Sequence, residues 1–158
     1  MNILCLHRMG DPIYRLEAVR ALEYMIAEVR PDLNVVVHDS DVPLPSYMRD
    51  VDYDLIVLGP TFLGSRFSSE TLKSKLAEFE FIKYSNACKV ALPQDDYDCP
   101  EILEEWLIDW DVNLVYTVCP EHWSSLYPRL SQKGRVRLGY TGYISQDWIY
   151  SWRSPKTI

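Results

Sequence analysis

The sequence predicts a doubly wound α/β domain, with a mainly parallel sheet and helices on both of its faces. Short apolar segments such as NILCL (2–6) and YDLIVLGP (53–60) alternate with helix-length segments along the chain. Their apolar runs are nearly continuous, which is typical of strands that helices cover on both faces. A length of 158 residues suits a single domain, and the sequence contains no internal repeat or linker.

The first half of the chain predicts three strands and one helix. Asp11 is a good N-cap and Pro12 fits the first helical turn, so a helix begins there and continues to about Arg30, before Pro31. Its apolar face includes Leu16, Val19, Leu22, Tyr24, Ile26 and Val29. The strands are expected at 2–6, 33–39 and 53–60, with a loop over 41–52 that contains two prolines.

The second half predicts three more strands. Ser68 or Ser69 caps a helix over about 70–84, with Leu72, Leu76, Phe79 and Ile82 facing inward. A further helix follows Asp98, which with Glu101 fits a capping box. The strands are expected at 89–93, 113–118 and 136–144, and a short, broken helix lies within HWSSLYPRLSQ.

Composition excludes several classes of function. The net charge of -7 and the pI near 4.9 disfavour nucleic-acid binding, which needs clustered Lys and Arg. No apolar stretch approaches the roughly 20 residues of a transmembrane helix, and MNILCLHRMG lacks the layout of a signal peptide. We therefore expect a cytoplasmic protein. The cysteines form no CxxC pair, so no metal site is expected, and Cys5, Cys88 and Cys119 are interpreted as small buried thiols.

Ligands of doubly wound domains bind beyond the carboxyl ends of the strands. This rule selects the loops at 7–11, 59–67, 94–98, 119–123 and 141–143. We expect them to crowd one edge of the sheet, and they contain most of the polar residues of interest.

The segment QDDYD (94–98) holds three carboxylates. Asp95 and Asp96 either favour the positive end of the following helix or serve a ligand, as a general base, a sugar-hydroxyl acceptor or a hard-cation ligand. Gln94 adds an amide that suits a polyol.

The first strand ends in His7 and Arg8. His7 is either a satisfied, partly buried histidine or a base at the edge of the sheet. Arg8 and Arg66 suit a phosphate or carboxylate, or they pair with nearby aspartates. Gly10 stands alone, so HRMGDP is not the GxGxxG of a dinucleotide site.

Later segments add further candidates. Thr61 lies near a helix N-terminus, which suits an anion or a polyol. Thr141 and Tyr143 end the last predicted strand, where the Tyr143 ring could stack on a sugar or base. In the tail, Trp148 and Trp152 have helical spacing, and they pack on this domain or on a partner.

Two doubly wound classes fit poorly. A phospho-receiver needs acidic residues after the first strand and an Asp at the end of the third, where this chain has His7-Arg8 and Gly59-Pro60. A flavodoxin needs a hydroxyl-rich phosphate loop after the first strand, which HRMGDP is not.

Several stretches resemble the N-terminal domain of bacterial GT-B-type glycosyltransferase-like proteins. They are ALPQDDYD (91–98), the EEWL helix (104–107), LYP and TGYI (141–144), together with the opening HRMGDPIYRLEAVR. Asp96 stands where the family pattern has Glu. The resemblance spans most of the chain.

The resemblance implies a Rossmann-like domain, residues 1–158, that is the N-terminal half of a two-domain enzyme. Such a domain binds a sugar or polyol acceptor, while the second domain binds the nucleotide-sugar donor, so this chain itself binds no cofactor or metal. His7 and Asp95 would activate the acceptor hydroxyl. Residues implied to contact it are Arg8, Gly10, Thr61, Arg66, Gln94, Asp96, Tyr97, Thr141 and Tyr143. The chain alone would be inactive, and the Trp148/Trp152 tail would meet the second domain or a partner.

Two alternatives remain. The segment LGPTFLGSRFSSETL (58–72) resembles the loop and helix of TIR domains, with Phe67 and Glu70 in the places of their aromatic residue and Glu, which implies NAD cleavage or signalling by assembly. The other alternative is a non-catalytic binding module of the same fold.

Overall fold

A computed structural model describes residues 1–10 and 17–139, which form a six-stranded, all-parallel sheet. The strand order is β2-β1-β3-β4-β5-β6. The strands are β1 (Asn2–His7), β2 (Asn34–Asp39), β3 (Leu55–Leu58), β4 (Cys88–Ala91), β5 (Leu114–Thr117) and β6 (Val136–Leu138).

Helices connect the strands. They are α1 (Glu17–Val29), α2 (Pro60–Leu63), α3 (Ser69–Glu78), α4 (Phe81–Tyr84), α5 (Pro100–Asp109), α6 (Trp123–Leu126) and α7 (Pro128–Gln132). Two short 3₁₀ helices lie at Ser46–Arg49 and Gly64–Phe67. None of the helices in the described residues is long and apolar enough to cross a membrane.

This architecture confirms the predicted doubly wound α/β, Rossmann-like fold. Its strand order places β3 beside β1, as in the flavodoxin-like branch of doubly wound folds, rather than beside β2. The chain therefore reverses direction across the sheet between β1 and β3. Ligands of such folds bind at this switch point, beyond the carboxyl ends of the strands.

Helices α2 to α7 and one face of the sheet enclose the larger core, and we name this the covered face. Inward-facing strand residues such as Leu4, Ile56 and Val115 are fully buried there. Aromatic rings fill the space above them: Phe62 lies 5.4 Å from Phe79 and 5.5 Å from Trp106, measured between ring centroids.

The opposite face of the sheet carries α1, and we name it the α1 face. Its buried cluster consists of Ile3, Cys5 and Val57, with Ile26 of α1 and neighbouring strand residues packed against it. In the described residues α1 packs over β1 and β2, while apolar residues of β3, β4, β5 and β6 line an open groove beside it.

The predicted elements are confirmed with shifted ends. The helix expected over 70–84 is two helices, α3 and α4, and Ser68 caps α3 by accepting a hydrogen bond from the Thr71 amide at 3.3 Å. The expected loop over 41–52 contains the 3₁₀ helix Ser46–Arg49. The proposed helix start at Asp11-Pro12 and the strand beyond Gly139 lie outside the described residues.

Three burial predictions were wrong. Val29 is 69 % exposed because it lies at the last residue of α1, beyond the edge of the sheet. Cys88 is exposed at the first residue of β4, and Cys119 is half-buried. Cys5 is buried as predicted, in the middle of β1.

Candidate functional site

The parallel sheet brings four of the five predicted loops together at its carboxyl edge. Arg66 contacts the 94–98 loop, Asp96 contacts the end of β5, and Arg8 contacts Thr61. The fifth loop contains Thr141 and Tyr143, which lie outside the described residues, as do Trp148 and Trp152.

Arg66 holds the backbone of the QDDYD loop. Its guanidinium donates to the carbonyls of Gln94 at 2.9 Å, Asp95 at 2.7 Å and Asp98 at 3.0 Å, and also to Leu63 at 3.0 Å. The side chain is 2 % exposed, and burial lowers its pKa below the ordinary value. Since its donors are used on carbonyls in this way, Arg66 orders the loop from inside.

Asp96 fastens the same loop to the far side of the sheet. Its side chain is fully buried and accepts hydrogen bonds from the Thr117 hydroxyl and from the Tyr127 hydroxyl at 3.1 Å. The Cys119 thiol lies 3.6 Å from its other oxygen. Burial, and then the charge of Asp96, raise the pKa of Tyr127, which stays protonated and donates. Asp96 therefore acts within the fold, a role that its carboxylate suits because two hydroxyls satisfy it.

The side chains of Asp95 and Tyr97, on either side of Asp96, point away from the core. Asp95 has a φ of 51°, in the left-handed region that few non-glycine residues adopt. Its carboxylate accepts a hydrogen bond from the Tyr97 hydroxyl at 3.2 Å, which raises the pKa of Tyr97. Tyr97 is 61 % exposed, and Gln94 beside it is also exposed. The loop thus presents an aromatic ring, a carboxylate and an amide to solvent.

The predicted capping box at Asp98 was wrong. The N-cap of α5 is Cys99, in the left-handed region at φ 54°, with Pro100 following and no side-chain cap. The Asp98 amide instead closes a turn on the Asp95 carbonyl at 2.9 Å, and Arg66 binds the Asp98 carbonyl. This tight turn moves the helix start one residue further along the chain.

Two buried carboxylates join three of the resemblance stretches at the α6–α7 segment. Asp96 of QDDYD binds Tyr127 of LYP. Glu104 of the EEWL helix is 3 % exposed and accepts from the amides of Arg129 at 2.8 Å and Leu130 at 3.0 Å. Because free amides at a helix start need acceptors, Glu104 caps α7 from α5. Much of the pattern that the family resemblance rests on therefore holds the fold together.

A second polar cluster lies at the switch point between β1 and β3. The Thr61 amide and hydroxyl donate to the Glu23 carboxylate at 2.8 Å and 2.5 Å, and the Thr61 hydroxyl accepts from the Arg8 amide at 2.8 Å. The Arg8 side chain pairs with Asp41 at 2.9 Å. Glu23 of α1 thus caps α2, as Glu104 caps α7.

Glu23 is an unusual carboxyl group because it is 6 % exposed. Burial raises its pKa to about 7, and the hydrogen bonds from Thr61 oppose that rise. A Cβ on residue 59 would lie 2.0 Å from the Glu23 Oε2 atom, so Gly59 leaves the space that this carboxyl occupies. Glycine is therefore required at position 59 because the Glu23 carboxyl packs directly against its Cα.

His7 and Gly10 lie at the end of β1 and in the loop that follows it. His7 is 2 % exposed, its ring centroid lies 5.6 Å from that of Tyr24, and its Nδ1 accepts from the Met9 amide at 3.4 Å. Burial lowers its pKa, so the ring is neutral at pH 7. Gly10 has a φ of 66°, which favours glycine.

Sequence reasoning missed Glu23, Thr117 and Tyr127. A signal for Glu23 exists, because it falls among Val19, Leu22 and Ile26 on the apolar stripe of α1. Thr117 is likewise a polar residue at an inward position of an apolar strand. Neither sequence signal identifies the hydrogen-bond partner, which is Thr61 for Glu23 and Asp96 for Thr117.

No group of three or more metal-binding side chains occurs within residues 1–10 and 17–139. His122, another residue of the predicted edge loops, has an 83 % exposed side chain. Comparisons with protein-family models, curated proteins and solved structures find no match for this chain.

Proposed function

We propose that the chain is the acceptor-binding domain of a GT-B-type glycosyltransferase, and that it binds a sugar or polyol hydroxyl at the carboxyl edge of its sheet. The observation that carries this proposal is the outward-facing pair of Asp95 and Tyr97. An aromatic face beside a hydroxyl-accepting carboxylate suits a pyranose ring, which has an apolar face and a polar rim.

Preorganisation supports the proposal. Arg66 and Asp96 fix the loop from inside, so binding need not order it. The left-handed backbone at Asp95 is the kind of strained conformation that is found at ligand sites. The family resemblance of residues 91–98 points to the same class of protein.

Of the two predicted bases, Asp95 is the one that an acceptor can reach directly, because the His7 side chain is buried. In the proposed reaction, the Asp95 carboxylate accepts the proton of the acceptor hydroxyl, the hydroxyl oxygen bonds to the anomeric carbon of the donor sugar, and the bond from that carbon to the nucleotide breaks, so that the nucleotide leaves. Gln94 and Arg8 hydrogen-bond the other hydroxyls, and Thr61 orients the Arg8 backbone. The nucleotide sugar would occupy a second domain.

Saccharide titration of the ¹⁵N-labelled chain tests this proposal. The probes are the methyl glycosides of glucose, galactose, mannose and N-acetylglucosamine at millimolar concentration. We expect at least one to shift amide signals of residues 94–98 and of Arg8. Asp95→Asn and Tyr97→Ala should each weaken that binding about tenfold, a loss of about 1.4 kcal/mol.

Tyr84→Ala is the matched control, since Tyr84 is 71 % exposed and lies before β4, at the opposite edge of the sheet. Equal weakening by Tyr84→Ala, or shifts confined to another surface, would contradict the proposal. Release of nicotinamide from NAD by the chain, abolished by Glu70→Gln, would support the TIR-like alternative instead.

A further inference from the structure

An apolar groove of about 470 Å³ crosses the α1 face. One wall is α1, and the floor consists of β3 to β6. Its lining residues include Leu22, Met25, Val57, Leu92, Tyr116 and Leu138.

The groove exposes side chains that a parallel sheet normally buries. Met25 is 43 % exposed, Tyr116 36 % and Leu138 38 %, whereas Val115, one residue from Tyr116 on the covered face, is fully buried. Parallel sheets occur almost only with both faces covered. A contiguous apolar surface of this kind marks a place where another element binds.

The chain itself leads into this groove. Leu138 and Gly139, the last described residues, both line it. A Cβ on residue 139 would lie 2.8 Å from the Cβ of Tyr116, so the absence of a side chain at Gly139 lets the backbone pass closely across β5. The last described residue, Gly139, therefore lies at the groove floor.

Residues 140–158 have a composition that suits binding to an apolar groove. Its aromatic residues are Tyr140, Tyr143, Trp148, Tyr150 and Trp152. The stretch from Trp148 to Trp152 contains no charged residue. Trp148, Ile149 and Trp152 fall on one side of a helix at 3.6 residues per turn, and Tyr150 falls on the other.

The chain between Gly139 and Trp148 is also long enough to cross the groove. Strands lie about 4.8 Å apart, so β3 is roughly 14 Å from β6, which roughly five extended residues can span. Residues 140–147 provide this length before Trp148.

We propose that the groove on the α1 face is the docking site of this chain's own segment 140–158, with Trp148, Ile149 and Trp152 inserted between α1 and β4 to β6. Docking would supply the missing cover of the sheet, and it does not depend on the acceptor-binding proposal. A second copy of the chain and a small apolar ligand are the competing occupants.

Methyl NMR of the full 158-residue chain tests the docking. We expect nuclear Overhauser contacts from the indole protons of Trp148 and Trp152 to methyl groups of Met25, Val57 and Leu92. Methyl groups of Leu103 and Leu130, on the covered face, should show none. Because this measurement uses the unaltered chain, it does not depend on whether a variant folds.

Substitutions then test which side of the segment binds. The double variant Trp148→Ala/Trp152→Ala should shift the groove methyl signals and increase binding of the apolar dye anilinonaphthalene sulfonate several-fold. Tyr150→Ala, the matched control on the opposite side of the segment, should leave both unchanged.

Three results would overturn the proposal. The first is the absence of indole contacts to the groove methyls. The second is contacts that appear only between differently labelled copies in a mixed sample, which would make the groove an interface between two chains. The third is a groove that takes up the dye equally in the unaltered chain and in the double variant.

Discussion

The two faces of the sheet differ in how completely the described residues bury them. The covered face packs against α2 to α7 and contains a large cluster with the rings of Phe62, Phe79, Trp106 and Trp110 at its centre. The α1 face has only three fully buried hydrophobic residues in its cluster, Ile3, Cys5 and Val57. Among the described residues, six helices thus lie on the covered face, whereas on the α1 face a single helix lies beside an open groove.

The difference follows from the strand order. Right-handed crossovers put every connection from β3 to β6 on one face, while the single step from β1 back to β2 puts α1 on the other. Hence the stability of the domain is concentrated on the covered face. The α1 face carries a buried carboxyl group and space for a further element.

The largest difference should come from core truncation. Phe62→Ala on the covered face should lower the free energy of unfolding by about 4 kcal/mol, because a large cavity remains among rigid aromatic neighbours. Met25→Ala on the α1 face should cost about 1 kcal/mol or less, since Met25 is 43 % exposed. Urea denaturation followed by circular dichroism measures both. Equal losses would contradict the asymmetry between the faces.

The second effect is a pH dependence that arises on the α1 face. Burial raises the pKa of Glu23 to about 7, against 4.5 for the ordinary carboxyl. The folded state therefore binds the proton more tightly than the unfolded state, and the stability that this proton contributes, present in full below pH 4.5, is lost as the pH rises through 7. Because each pKa unit corresponds to about 1.4 kcal/mol, the loss should reach up to about 3 kcal/mol above pH 8.

Glu23→Gln isolates this contribution. The amide oxygen can still accept the hydrogen bonds from Thr61, and the group no longer ionises. Chemical denaturation between pH 5 and pH 9 should show a flatter profile for the variant, with its advantage greatest at high pH. Parallel profiles for the two proteins would show that Glu23 ionises normally.

The third effect separates the two neighbouring aspartates at the carboxyl edge. Asp96→Asn should cost about 2 kcal/mol, because the side chain is buried and an amide oxygen is a weaker acceptor than the carboxylate oxygen to which Thr117 and Tyr127 both donate. Asp95→Asn should change stability by less than about 0.5 kcal/mol, as Asn tolerates a positive φ. Thermal denaturation measures both, and a larger loss for Asp95→Asn would reverse the roles assigned here.

The smallest predicted effect is a difference in cysteine reactivity, which is measured on the unaltered chain. Burial raises the pKa of Cys5, under α1, to about 12, whereas Cys88 and Cys99 are exposed. Iodoacetamide at pH 8 should alkylate Cys5 roughly a hundredfold more slowly than the two exposed thiols. Mass spectrometry of tryptic peptides over time gives the rates. Rapid alkylation of Cys5 would mean that α1 does not protect β1.

Much of the fold followed from local patterns in the sequence. Apolar runs located the six strands, and Ser68 and Pro31 lie at or next to helix boundaries as predicted, because backbone conformation at these positions depends on neighbours in the chain. The alternation of strand and helix also determined that the sheet is parallel and that the candidate loops share its carboxyl edge.

The tertiary structure decided which polar residues face solvent. Nothing in QDDYD distinguishes Asp95 from Asp96, yet Asp95 is half-buried at the surface, whereas Asp96 is fully buried against Thr117 and Tyr127. Glu23 and Glu104 read as ordinary helix carboxylates in the sequence, but they cap α2 and α7. Burial and hydrogen-bond partners depend on residues far apart in the chain, and their identity becomes fixed only when the strands have been ordered and the helices packed.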